Sequence, residues 1–200
     1  MVPYAPPTRT REPESGLMLS PDKMQRYLAL RGSSFLHTNI IDLDLLAHSG
    51  MDIEFETIFN EIGWTSFWQV HELGIELLTK EFLCTLKVTN IGISFRMCEQ
   101  EYDLNWSMLN TALGCEYDCE LHLDQATHLF NKNDFWKAIS NSDDCSNPTP
   151  TEIHNPTLRF LHVWIMCTIF PGMGIGTLID DELQLLYAMV CKIKVSPANY

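Results

Sequence analysis

The residues whose types and spacing come nearest to chemistry are two cysteines and two histidines, Cys115, Cys119, His122 and His128. Thiolate and imidazole are the ligands zinc prefers, and a structural site needs four of them converging as a tetrahedron, usually from two tight pairs held apart by a longer loop. Both internal spacings here are tolerable, but only two residues separate the pairs, so the four are weak candidates and no metal or cofactor is expected. The run Pro171-Gly172-Met173-Gly174-Ile175-Gly176 is superficially like a phosphate-cradling loop, yet it follows a helical pattern rather than a strand and lacks the Lys-Ser/Thr of such loops. A flexible connection between helices explains it better.

Asp180, Asp181 and Glu182 could hold a divalent cation for phosphoryl chemistry, but carboxylates at the start of a helix already complement the positive end of its dipole. Asp42 and Asp44 diverge on a helix, and His71-Glu72 has no second histidine at the spacing of a zinc-protease helix. There is no Gly-x-Ser-x-Gly elbow, and no cysteine sits in an electropositive setting. Trp64, Phe67 and Trp68 could stack on bases, but no Arg or Lys is interleaved with them, which favours hydrophobic packing. No catalytic residue is assigned. A metal-dependent hydrolase or nuclease built on Asp180, Asp181 or the Cys/His cluster is the least favoured reading.

A chain of 200 residues with 46% hydrophobic content can bury a sizeable core. The net charge of -13 is uneven: residues 32 to 190 hold 6 Lys or Arg against 23 Asp or Glu, and the ends are basic by comparison. Phosphate backbones are bound through cations, so this body should repel nucleic acid unless the basic N-terminal tail, Lys192 and Lys194 take that role. Seven scattered cysteines, several inside apolar runs, read as reduced packing residues. No secretory signal is visible, and the longest apolar run, Phe160 to Phe170, falls short of a membrane span. These features place the chain in the cytoplasm or nucleus.

Residues 1–20, rich in proline and charge, form an expected disordered tail, and 196–200 a second one. Between them, 21–195 reads as one helical domain. Ser20-Pro21 opens a helix that runs to Gly32, a second ends at Gly50, and a third runs from Asp52 to Gly63. From Glu72, apolar residues at Ile75, Leu78, Phe82 and Leu86 recur at helical steps, and Leu77 and Leu83 widen the stripe; this is the expected central helix. Alternation then marks strands through Ile93, Phe95 and Met97 and through Tyr102 and Leu104. Asn105 caps a short helix that Gly114 stops, and one or two short helices dock Phe130, Phe135 and Trp136. An exposed loop covers 140–151. Asn155-Pro156 begins a helix apolar on most sides and therefore buried, and a last one reaches Cys191. The fold class is mainly α, with about seven to nine helices and a small antiparallel β-hairpin near residues 86–104.

The order of several blocks resembles the ORF1, or gag-like, proteins of plant LTR retrotransposons of the Athila type, and the related retrotransposon-derived plant domain. The blocks are Ile62-Gly63-Trp64 with Phe67, Leu78-Thr79-Lys80-Glu81-Phe82-Leu83, Ile93-Ser94-Phe95-Arg96, and Leu109 with Ala112-Leu113-Gly114. Phe135-Trp136, Asn155 through His162, Thr168-Ile169-Phe170 and Glu182-Leu183 continue the series, which covers about residues 25 to 190. The strand pair before a helix ending in Leu-Gly is more distantly similar to the plant mobile domain. The resemblance implies a non-enzymatic protein acting through protein partners or self-association, with no catalytic residues to carry over. It also implies a short or truncated copy, since relatives carry long polar extensions. The chain has no CCHC knuckle, no Asp-Thr/Ser-Gly protease motif and no Tyr-x-Asp-Asp polymerase motif.

Overall fold

The computed structural model describes residues 19–35, 41–70, 72–115, 119–120, 122–171 and 176–199. Of the tail expected over 1–20, residues 1–18 lie outside the described residues, as do His71 and glycines 172 and 174. Four of the helices begin where a side chain satisfies an otherwise orphaned N–H. Asp42 Oδ1 accepts from Leu45 N–H (3.0 Å) ahead of α2 (Leu43–Ser49), and Asn105 Oδ1 accepts from Met108 N–H (2.9 Å) ahead of α6 (Trp106–Ala112). Asn131 does the same for α8 (Lys132–Ser140) and Asn155 for α9 (Pro156–Thr168). The remaining helices are α1 (Pro21–Arg31), α3 (Asp52–Glu61), α4 (Thr65–Trp68), α5 (Glu76–Thr85), α7 (Leu123–Ala126) and α10 (Asp180–Val190). Ten α-helices among the described residues exceed the seven to nine expected, because the single turns α4 and α7 are too short for a hydrophobic period to show.

The expected hairpin is instead a three-stranded antiparallel sheet of β1 (Lys87–Thr89), β2 (Gly92–Met97) and β3 (Gln100–Asn105), in the order β1-β2-β3. Strand β1 is only three residues long, too short for alternation to reveal it. Its register places Lys87 opposite Ser94, Val88 opposite Ile93 and Thr89 opposite Gly92.

The chain forms two compact units, residues 37–73 with 104–200 and residues 1–36 with 74–103. The larger holds one continuous core in which Phe55, Phe59, Trp64, Trp136, Leu161, Ile165, Leu183, Leu185 and Leu186 are sealed from solvent. Trp64, Phe67 and Trp68 belong to this packing: the Trp64 and Phe67 rings meet edge to face 5.6 Å apart, and Trp64 Nε1–H donates to Val195 O at 2.8 Å. Gly114 turns at φ 72 with its α-carbon against Ser66, where an added Cβ would come within 2.6 Å of the Ser66 Cβ. Residues 196–199, expected as a tail, are held in place. Ser196 is buried, its hydroxyl donates to Asn110 Oδ1 (2.6 Å), its N–H donates to Glu120 O (2.8 Å), and a 3-10 turn follows at Pro197–Asn199.

The smaller unit comprises α1, α5 and the sheet. Helix α5 starts at Glu76 rather than Glu72, and it is not a central helix: Leu77 and Leu83 are 44% and 42% exposed, while the buried residues are Glu81, Cys84 and Thr85. Charge divides with the units. Residues 1–36 and 74–103 carry eight Lys or Arg against eight Asp or Glu; residues 37–73 and 104–200 carry five against eighteen. The entire net charge of -13 therefore belongs to the larger unit. No helix among the described residues is long and apolar enough to cross a membrane.

Candidate functional site

The structure does not gather the four candidate zinc ligands into a site; among the described residues, no three His, Cys, Asp or Glu side chains converge as a metal would require. Cys115 is buried behind Gly114, and burial, reinforced by Cys119, pushes its thiol up to about 12. Cys119 accepts a long contact from Asn110 Nδ2–H at 3.8 Å. His122 precedes α7 and is exposed, its N–H directed at Glu120 Oε1 (3.4 Å), and His128 is exposed after α7, with Nδ1 3.3 Å from Gln125 O.

The three carboxylates at the start of α10 also separate. Asp180 is exposed and accepts from Lys132 Nζ at 2.7 Å, whereas Glu182 is 2% exposed. Glu182 Oε2 accepts from Ile179 N–H (3.2 Å) and lies 3.0 Å from His162 Nε2, which is itself 1% exposed. A buried carboxylate is tolerable only when paired and hydrogen-bonded, and this pair meets that condition by locking α9 to α10. Both side chains are enclosed by the core. His162, which in sequence closes the block Asn155 through His162, faces this carboxylate inside the core.

A second buried carboxylate organises the smaller unit. Glu81, 1% exposed, accepts from Cys98 N–H (3.0 Å) and Glu99 N–H (3.3 Å), and Arg96 Nε lies 3.3 Å from its Oε1. Cys98 and Glu99 form the turn between β2 and β3 with φ of 52° and 65°. Positive φ at both central residues is the geometry of a two-residue type I′ hairpin, which Asn-Gly adopts without strain and Cys-Glu does not. The carboxylate offsets that strain by supplying charge-assisted acceptors for both turn amides, and Arg96 compensates its charge. Thr85 Oγ1 accepts from Arg96 N–H at 2.9 Å, and Arg26 Nη1 and Nη2 donate to Leu86 O (3.1 Å) and Leu83 O (3.2 Å) at the end of α5.

This clamp sets the sheet's two faces. Alternation, the register of β1 and β2, and the two-residue turn put Val88, Ile93, Phe95, Met97, Gln100 and Tyr102 on one face. The other carries Lys87, Ser94, Arg96, Glu101 and Asp103, with Glu101 accepting from Lys23 Nζ at 2.8 Å. The first face holds no charged side chain. Phe95 and Tyr102 stack across the strands at 5.2 Å and 17°, and Phe82 meets Phe95 edge to face at 4.9 Å. Val88 is 68% exposed and Tyr102 36%.

Sequence reasoning missed Glu81 and Arg96 as a pair. The available signal was a charge inside the inward stripe Leu78, Glu81, Phe82 and Thr85, where amphipathic spacing calls for an apolar residue. The larger unit also has an open polar cleft of about 360 Å³ lined by Thr57, Asn60, Glu61 and Lys194, beside which Lys192 Nζ pairs with Glu61 Oε1 at 3.2 Å. Comparison of the chain with protein-family models, with curated proteins and with solved structures returned no match.

Proposed function

We propose that this chain is a non-enzymatic domain of the retrotransposon ORF1 type, working in the cytoplasm or nucleus by protein association, and that the smaller unit is the part that associates. One observation carries the reading. The smaller unit presents Leu77, Leu83, Val88, Ile91 and Tyr102 to solvent, and among its described residues no large apolar side chain is fully buried, whereas the larger unit, which also exposes Ile53, Val70, Leu73 and Leu129, seals a continuous core. Small sheets are stable when a hydrophobic face is covered, and clustered exposed apolar residues mark interaction sites. The alternative, nucleic-acid binding through the basic termini, gains no such support, because Lys192 is engaged by Glu61.

A photo-crosslinking amino acid at Val88, used in cells, tests the proposal. Protein adducts are expected at that position and not at the exposed Glu56 of the larger unit. Equal yields at both positions, or none at either, would contradict it.

A further inference from the structure

We infer that Ser20 is a phosphorylation site for a proline-directed serine/threonine protein kinase, singled out by its surroundings from two other copies of the same dipeptide. Ser or Thr stands directly before proline three times, at Ser20-Pro21, Thr149-Pro150 and Ser196-Pro197. Proline has no N–H and holds the residue before it extended, so a kinase can read the dipeptide through a subsite that offers no acceptor after the modified residue. Such kinases also favour a cation three positions further on, one of the charge patterns by which kinases choose substrates. Only Ser20 has one, Lys23; Thr149 has Glu152 at that position and Ser196 has Asn199.

The three hydroxyls differ in the same direction. Ser196 is buried, and its Oγ donates to Asn110 Oδ1 and accepts from Ala198 N–H at 3.2 Å. Thr149 is half-buried, and its Oγ1 lies 2.9 Å from Glu152 Oε2 and 3.0 Å from Thr151 Oγ1, in the acidic larger unit. Ser20 is exposed, its backbone is extended at φ -63 and ψ 158, and its side chain caps no N–H of α1. Its Oγ is therefore open to an incoming enzyme.

A kinase binds its substrate as an extended strand, so the first turn of α1 has to open. Little resists that opening: no residue of α1 is buried, Pro21 and Asp22 are exposed, and Lys23 is held by a surface ion pair with Glu101 at 2.8 Å. In the transfer, the Ser20 oxygen bonds to the γ-phosphorus of Mg-ATP and the bond from that phosphorus to the β,γ-bridging oxygen breaks. ADP leaves, and the hydroxyl proton passes to the kinase's catalytic aspartate. The product sets a phosphate at the positive end of α1, gives Lys23 a second anion to pair with, and ends the smaller unit's balance of eight basic and eight acidic residues.

Incubation of the full chain with a cyclin-dependent kinase and Mg-ATP, followed by phosphopeptide mapping, tests the inference. One phosphate is expected, on Ser20, and Ser20→Ala should take up none. Lys23→Ala should slow the transfer about tenfold, the scale of one lost charge-assisted contact, whereas Glu101→Gln, which releases Lys23, should not slow it. Neither Ser20 nor Lys23 is buried, so both variants should keep the far-UV circular dichroism of the parent chain. Phosphate on Thr149 or Ser196 as fast as on Ser20, or none on Ser20, overturns the site. An undiminished rate in Lys23→Ala overturns the assigned role of the lysine and with it the kinase class.

Discussion

The two buried carboxylates, Glu182 in the larger unit and Glu81 in the smaller, do the same physical work in opposite surroundings. Glu182 sits in a continuous apolar core, paired with His162, so its removal perturbs one contact among many. Glu81 sits in a unit where, among the described residues, the fully buried ones are itself, Cys84, Thr85 and Gly92, and it holds both turn amides and Arg96. One unit is held by packing and the other by a polar clamp beneath a half-covered apolar face. A unit of the second kind keeps a defined shape while leaving hydrophobic surface available, which is what an association module requires.

The largest effect should come from Trp64→Ala. It removes a sealed indole and its bond to Val195 O, and should cost about 4 kcal/mol in chemical denaturation of the larger unit. A loss as small as that of a surface change would erase the distinction between a packed unit and a clamped one. Glu81→Gln should cost about 3 kcal/mol by removing the buried charge that Arg96 and both turn amides face. The diagnostic is where the loss appears. Hydrogen exchange should quicken at Cys98 and Glu99 while amides of α9 and α10 keep their protection.

Gly114→Ala combines a left-handed φ of 72 with a 2.6 Å approach to Ser66 Cβ, and should cost about 1–2 kcal/mol, read from the same denaturation curves. The smallest effect concerns thiols. Cys115, pushed up to about 12 from an ordinary 9.0, stays protonated at pH 8, so alkylation followed by mass mapping should label exposed Cys98 and Cys191 well before Cys115. The sign for stability follows: the folded state retains a proton that the unfolded chain releases near 9.0, so this contribution is complete below that pH and is lost as pH rises toward 12.

Features decided by a few neighbouring residues were legible in the sequence. The caps at Asn105 and Asn155, the left-handed ends at Gly50 and Gly114, and the buried α9 all depend on local donors, φ preference or a dense apolar run. Helix α5 shows the limit of that approach. The spacing of Leu77, Leu83 and Phe82 identified a helix, but spacing does not say whether a neighbour covers the apolar side. The Glu81–Arg96 clamp was hidden for a related reason: its partners lie fifteen positions apart, and the turn it supports carries Cys98-Glu99 instead of the Asn-Gly that would announce a tight hairpin. The spacing of Cys115, Cys119, His122 and His128 could not say whether they converge in space, and among the described residues no three such side chains gather.

The proposed association would complete the smaller unit's apolar face, whereas the larger unit already closes a continuous core of its own. Hydrogen exchange measured by mass spectrometry at low and high protein concentration tests this directly. Amides of β2 and β3 should gain protection as concentration rises, while those of α9 and α10 should not change. Protection that is independent of concentration in both units, or that rises only in the larger one, would contradict it.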